Sequence, residues 1–228
     1  MINIIAKWRN RLRFKYQKTK RGKICCLKEN NKLTEIEVPA GIAIIGCAYC
    51  AFAYDDKVQS VSLPDGVRVI SKGAFASCPN LEKINLPTGL TKIYDRAFAK
   101  CSKLKGIILP NTLIQLGEYA FCGCKSLKII EIPGSIKTIK KGAFWYCENL
   151  EEVIISEGVE TIGAYAFEKC VKLKKVVCPS SLKYIESNAF DSCVSLEEIE
   201  LPESIEKIGI DAFAFCDRLN RGCLNELN

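Results

Sequence analysis

The sequence predicts a β-rich solenoid, one elongated domain made by stacking copies of a short unit. Three observations predict it. An Ala-Phe pair recurs at Phe52, Phe75, Phe98, Phe121, Phe144, Phe167, Phe190 and Phe213, 23 residues apart throughout. Proline closes an alternating apolar stretch at Pro39, Pro64, Pro87, Pro110, Pro133, Pro179 and Pro202, with Ser156 in its place in one copy. Cysteine follows all but the first of these phenylalanines by three positions, at Cys78, Cys101, Cys124, Cys147, Cys170, Cys193 and Cys216. A unit of this length cannot bury a core alone, so its apolar side must be covered by its own copies.

Within one unit the elements follow in order. The stretch L-x-x-I-x-L, as at Leu127, Ile130 and Ile132, alternates inward and outward at its end and predicts a strand. The proline after it has no N–H to give a ladder and turns the chain. The return limb is apolar three and six positions past the proline (Leu90 and Ile93, Ile136 and Ile139, Leu182 and Ile185), which predicts a short extended segment. A-F-x-x-C-x-x-L then spaces its apolar residues by three, predicting a single helical or 3₁₀ turn before the next strand. Two helices and two turns do not fit in a unit this short, so helical-hairpin repeats are excluded.

About eight units are expected over residues 24–228, with degenerate ends. The first copy is two residues longer between Gly46 and Cys50 and carries Asp55 on the cysteine rung, which predicts weaker packing around Phe52. Residues 1–23 form a separate basic arm. They hold nine Lys and Arg and no acid, whereas the remaining 24 bases meet 26 acids. The net charge of +7 therefore belongs to the arm, and the solenoid is near neutral.

A residue repeated at one place in every coil points the same way in every coil. Cysteine packs as a small apolar group, so the seven rung thiols are expected to be buried and reduced. Neighbouring rungs would lie roughly 4.8 Å apart, within bridging range, so vertical disulfides are the alternative. Cys25-Cys26, Cys47-x-x-Cys50 and Cys122-x-Cys124 have metal-like spacings. The chain has no histidine and no second C-x-x-C, so no metal and no cofactor is expected. The opening Met1–Ala6 is too short for a secretory h-region, which predicts a cytoplasmic protein.

With its 23-residue period, L-P after the strand and A-F-x-x-C before the next, the chain resembles the leucine-rich repeat superfamily, specifically its BspA-like branch. The resemblance covers about 200 of the 228 residues. It departs from the commoner pattern at the asparagine rung, occupied here by Gly66, Gly89, Thr112, Ser135, Gly158, Ser181 and Ser204. It implies a leucine-rich-repeat solenoid with parallel strands along one face and short strand or one-turn helix segments on the other. It also implies adhesion or recognition roles and display at a cell surface.

The outward strand positions are those the repeat does not need. From N to C they read Glu35, Ser60, Lys83, Gly106, Ile129, Glu152, Lys175, Glu198 and Glu37, Ser62, Asn85, Ile108, Glu131, Ile154, Val177, Glu200. Ile108, Ile129, Ile154 and Val177 stand where solvent is expected, with Glu131 and Glu152 beside them, and mark a protein-binding strip. The bland reading is that Ile and Val are good strand formers. In the arm, Met1, Ile4, Ile5, Trp8, Leu12 and Tyr16 gather on one side of a helical wheel, with Arg9, Arg11 and Arg13 among the bases around the other. Such a helix suits a membrane surface or a partner helix. Nucleic acid is the least supported partner, since no recognised nucleic-acid module follows. A solvated tail is the plain alternative.

Catalysis has little basis. There is no imidazole base for a serine or cysteine nucleophile, and no phosphate-binding glycine motif. Glu151-Glu152 and Glu197-Glu198 fall on a solvated strand face rather than in a cleft. The expected function is a non-catalytic binding module, with a structural protein stacking through its open ends as the rival.

Overall fold

The computed structural model describes residues 14–19, 22–27, 34–46 and 52–220. Over them the chain is a parallel β-solenoid, and no helix occurs among the described residues. Coils are named below by their phenylalanine. Each coil has three sides.

The first side carries the strand before the proline. Glu35–Glu37, Ser60–Ser62 and Lys83–Ile84 form one parallel sheet; Ile129–Ile132, Glu152–Ile155, Lys175–Val177 and Glu198–Ile199 form another. Alternation is as expected: Ile130 and Ile132 point inward while Ile129 and Glu131 are exposed. The second side carries two-residue strands, among them Val69–Ile70, Lys92–Ile93, Gln115–Leu116, Thr138–Ile139 and Thr161–Ile162. Strands pair at an offset of 23 residues, as in Glu152 with Lys175. Between the first two coils the offset is 25, Glu37 with Ser62, which absorbs the two extra residues of the first copy.

The third side differs from expectation. A-F-x-x-C forms linked turns rather than a helical turn. In the Phe98 coil, Ala97, Ala99 and Cys101 donate to the carbonyls of Tyr94, Arg96 and Phe98, while Arg96, Phe98 and Lys100 donate to Glu118, Ala120 and Cys122 of the next coil. A helix would direct every N–H along its own chain; here alternate N–H groups are drawn sideways into the neighbour. That alternation requires left-handed residues two before and two after each phenylalanine, and Arg96 and Lys100 have φ of 56° and 63°. Such residues cost of order 1 kcal/mol each, which the ladder between coils offsets.

Inside, the phenylalanine rings stack face to face from Phe52 to Phe213, with centroids 4.9 to 5.5 Å apart. The cysteine rung does more than fill space. Each thiol donates to the phenylalanine carbonyl of the preceding coil, Cys101 Sγ to Phe75 O at 3.1 Å and Cys147 Sγ to Phe121 O at 3.2 Å. From Phe98 to Phe190 the phenylalanine carbonyl also accepts the N–H of its own coil's cysteine, so both of its lone pairs are satisfied.

At the N-terminal end, Phe14–Thr19 and Gly22–Leu27 form an antiparallel hairpin whose second strand pairs in parallel with Ile44–Ile45. The amphipathic helix expected for the arm is therefore replaced by strand at its C-terminal end, and the expected boundary at residues 23 and 24 falls inside a strand. Extended backbone is recruited there because the sheet edge of the first coil offers unpaired partners. Residues 1–13 lie outside the described residues.

Among the described glycines the need is tightest at Gly134. A Cβ at Gly134 would overlap the Glu157 carbonyl oxygen of the next coil, whereas a Cβ at Gly106 would meet open space. Gly134→Ala should cost ~1–3 kcal/mol through this backbone overlap, and Gly106→Ala should stay within ~0.5 kcal/mol. Equal urea midpoints for the two variants would show that coils do not approach closely at Gly134.

Candidate protein-binding face

Parallel pairing at constant offset places equivalent repeat positions in straight columns. On the first side, Ile129, Glu152, Lys175 and Glu198 form one column, and Glu131, Ile154 and Val177 the next. Ile154 and Val177 are direct neighbours, and Ile129 lies diagonally across from Ile154. Ile129 is 53% exposed, Val177 39%, and Ile154 half-buried. Ile108 is 86% exposed, but its segment is not a strand and has no ladder to Ile129–Ile132. The structure thus brings Ile129, Glu131, Glu152, Ile154 and Val177 onto one sheet and leaves Ile108 beside it.

Charges frame these side chains. Lys175 Nζ lies 3.1 Å from Glu198 and Lys128 Nζ 3.7 Å from Glu151. The hydrogen bond to Glu198 raises the Lys175 pKa. These are exposed pairs and contribute little to stability; their effect is to leave an acidic rim of Glu131 and Glu152 around the apolar residues. Further toward the N-terminus the same side holds a polar groove of about 630 Å³, lined by Glu35, Glu37, Ser60, Ser62, Lys83 and Asn85.

Sequence reasoning missed two surface features. Ile114 on the second side is 59% exposed. On the third side, Tyr119 meets Trp145 edge to face at 6.0 Å, and Trp145 meets Tyr146 at 5.0 Å. The available signal was Trp145 just after Phe144, where the other copies have Ala, Cys, Glu or Asp. Arg96 stacks over Tyr119 at 5.5 Å and Lys169 over Tyr146 at 5.0 Å, so these rings are covered by the chain's own cations.

The rung thiols are buried and free. Burial pushes the Cys78 thiol up to about 12 and raises those of Cys101, Cys124, Cys147, Cys170 and Cys193, so none of these six is a thiolate nucleophile near neutral pH. Cys122 is half-buried and its thiol is also raised by burial. The side chains of Cys25, Cys26, Cys47 and Cys50 lie outside the described residues, as do Trp8, Arg9, Arg11 and Arg13 of the arm.

The repeat family described as BspA type leucine rich repeat region matches in six copies, over residues 23–151 and 137–227. The crystal structure of a T. pallidum leucine-rich repeat protein is similar, with 31% identity and a TM-score of 0.76 over 82% of this chain and 89% of that one. A leucine-rich repeat protein from Eubacterium ventriosum is 26% identical, with a TM-score of 0.69 over 88% of this chain and 49% of that one. No curated protein matches the chain significantly.

Proposed function

The chain belongs to the BspA-type leucine-rich repeat family, and from that premise we propose that it is a non-catalytic binding module. It holds a protein partner on the first side, at Ile108, Ile129, Glu131, Glu152, Ile154 and Val177. The observation that supports this is the exposure of Ile108, Ile129 and Val177 on a side whose other outward positions, Gly106 and Ile154 apart, are polar or charged. Isolated exposed apolar residues are ordinary, but several grouped on neighbouring coils with an acidic rim have the composition of a contact site. The partner surface is apolar at its centre and basic at its edge. Family resemblance makes adhesion at a cell surface the setting to test, and protease shaving of intact cells tests it.

Ile129→Asp adds a charge at the centre of the strip without touching the core. It should weaken capture of the bound protein by about 30-fold, the effect of losing ~2 kcal/mol at a contact centre. Circular dichroism and melting of the variant should be unchanged. Equal capture by wild type and Ile129→Asp would overturn the strip as the binding site.

A second reading, assembly through the coil ends, draws on the Phe213 coil. Among the described residues its strands Glu198–Ile199 and Lys207–Ile208 are paired on one side only, and Ile210 and Phe215 are 79% and 67% exposed. Light scattering against concentration distinguishes this reading: end-to-end oligomers favour assembly, and a monomer at high concentration sinks it.

A further inference from the structure

The two strand sides are interrupted at the same place. No strand pairing joins Gln115–Leu116 to Thr138–Ile139, and residues 105–110 form no strand opposite Ile129–Ile132. The backbone hydrogen bonds that would span this seam are missing, while one side-chain bond remains, Ser135 Oγ donating to Leu113 O at 2.7 Å. One coil further on, Glu152 donates to Lys128, Ser156 to Ile132, Glu160 to Lys137 and Gly163 to Ile139. Their counterparts Ile129, Lys137 and Lys140 make no backbone bond to the Phe121 coil, and Pro133 has no N–H to make one.

The sequence supplies local causes. Gly106 stands in a strand position, where glycine weakens a strand. Lys105 and Lys128 occupy the same repeat position on either side of the seam, where most other neighbours pair a base with an acid. Ile108, Ile114 and Ile129, all exposed, flank the opening.

The third side is continuous across the same seam. Tyr119, Phe121 and Gly123 donate to Lys141, Ala143 and Trp145 at 3.0, 2.8 and 2.7 Å. Lys125 Nζ lies 2.7 Å from Glu148, and the Tyr119 ring packs beside Trp145 over Gly142, which has no side chain to obstruct it. The Phe121 and Phe144 rings have the widest spacing in the stack, 5.5 Å.

From this asymmetry we propose that the seam between the Phe121 and Phe144 coils is a joint. Its axis runs along the third side, and the coils on either side move as two rigid stacks by opening and closing the strand sides. With the strand sides joined across the seam by the Ser135 side chain in place of a ladder, the third side's line of hydrogen bonds and ring contacts is the pivot, and the low-stability elements of a fold are those with the fewest such bonds. The joint does not depend on what the strip binds.

Two measurements test it on the full chain. In native-state hydrogen exchange, the amides of Ile129, Lys137 and Lys140 should exchange at least about tenfold faster than those of Glu152, Glu160 and Gly163, with Phe121 and Gly123 protected. Motion is read by pulsed electron resonance between labels on introduced non-native side chains at Arg68 and Lys137, compared with Lys137 and Glu206. Both pairs are 69 residues apart at one repeat position, but only the first spans the seam. Its distance distribution should be about twofold broader. Equal widths, or equal protection of the two sets of amides, would overturn the joint.

Discussion

Raising the pH from 7.5 to 9.5 in reducing buffer should remove most of the protein's stability. Burial raises the thiols of Cys78, Cys101, Cys124, Cys147, Cys170 and Cys193 in the folded state, Cys78 to about 12. Unfolded thiols titrate near ~8.5. A group whose folded pKa is raised contributes stability that is complete below the unfolded value and is lost as pH climbs toward the folded one. At pH 9.5 each unfolded thiol gains about 1.4 kcal/mol by ionising, so these six gain about 8 kcal/mol. That matches the whole stability of an ordinary domain, about 5–15 kcal/mol. Lys169, Lys175 and Lys183, whose partners raise them above their usual 10.5, titrate beyond this window. Urea midpoints at pH 7.5, 8.5 and 9.5 should fall steeply over the last step. A flat profile would mean that the thiols reach water in the folded state.

Phe144→Ala should cost ~3–5 kcal/mol, the usual range for deleting a buried aromatic ring. The ring is fully buried and stacks on Phe121 at 5.5 Å and Phe167 at 5.3 Å, so its removal opens a void shared by two interfaces. It also lies on the seam, where rings and turns carry the coupling that the strands do not. Its melt should therefore separate into two phases. Phe213, partly buried with one ring neighbour at 5.3 Å, should cost clearly less. Phe52 does not follow the expectation drawn from its irregular copy: it is 1% exposed and stacks on Phe75 at 4.9 Å. Equal melting shifts for Phe144→Ala and Phe213→Ala would show that coupling between neighbouring coils is not what holds the solenoid.

The sequence by itself determined the coil. Leu127, Ile130, Ile132, Phe144 and Cys147 are repeat positions, and an exact period makes every copy point alike, so core and surface followed from spacing alone. The outward places of Ile129, Ile154 and Val177 followed from the same alternation. Only the tertiary structure decided the rest, because the rest depends on bonds between coils. Arg96 and Lys100 are left-handed since the next coil takes alternate N–H groups, which no helical spacing in one unit reveals. The thiols of the cysteine rung find their acceptor 26 residues back in the chain, in the preceding coil. The hairpin Phe14–Leu27 is strand because an open sheet edge adjoins it. Ile108 sits apart from Ile129 because ladder formation is a property of a pair of coils, and this pair has Gly106 in a strand position.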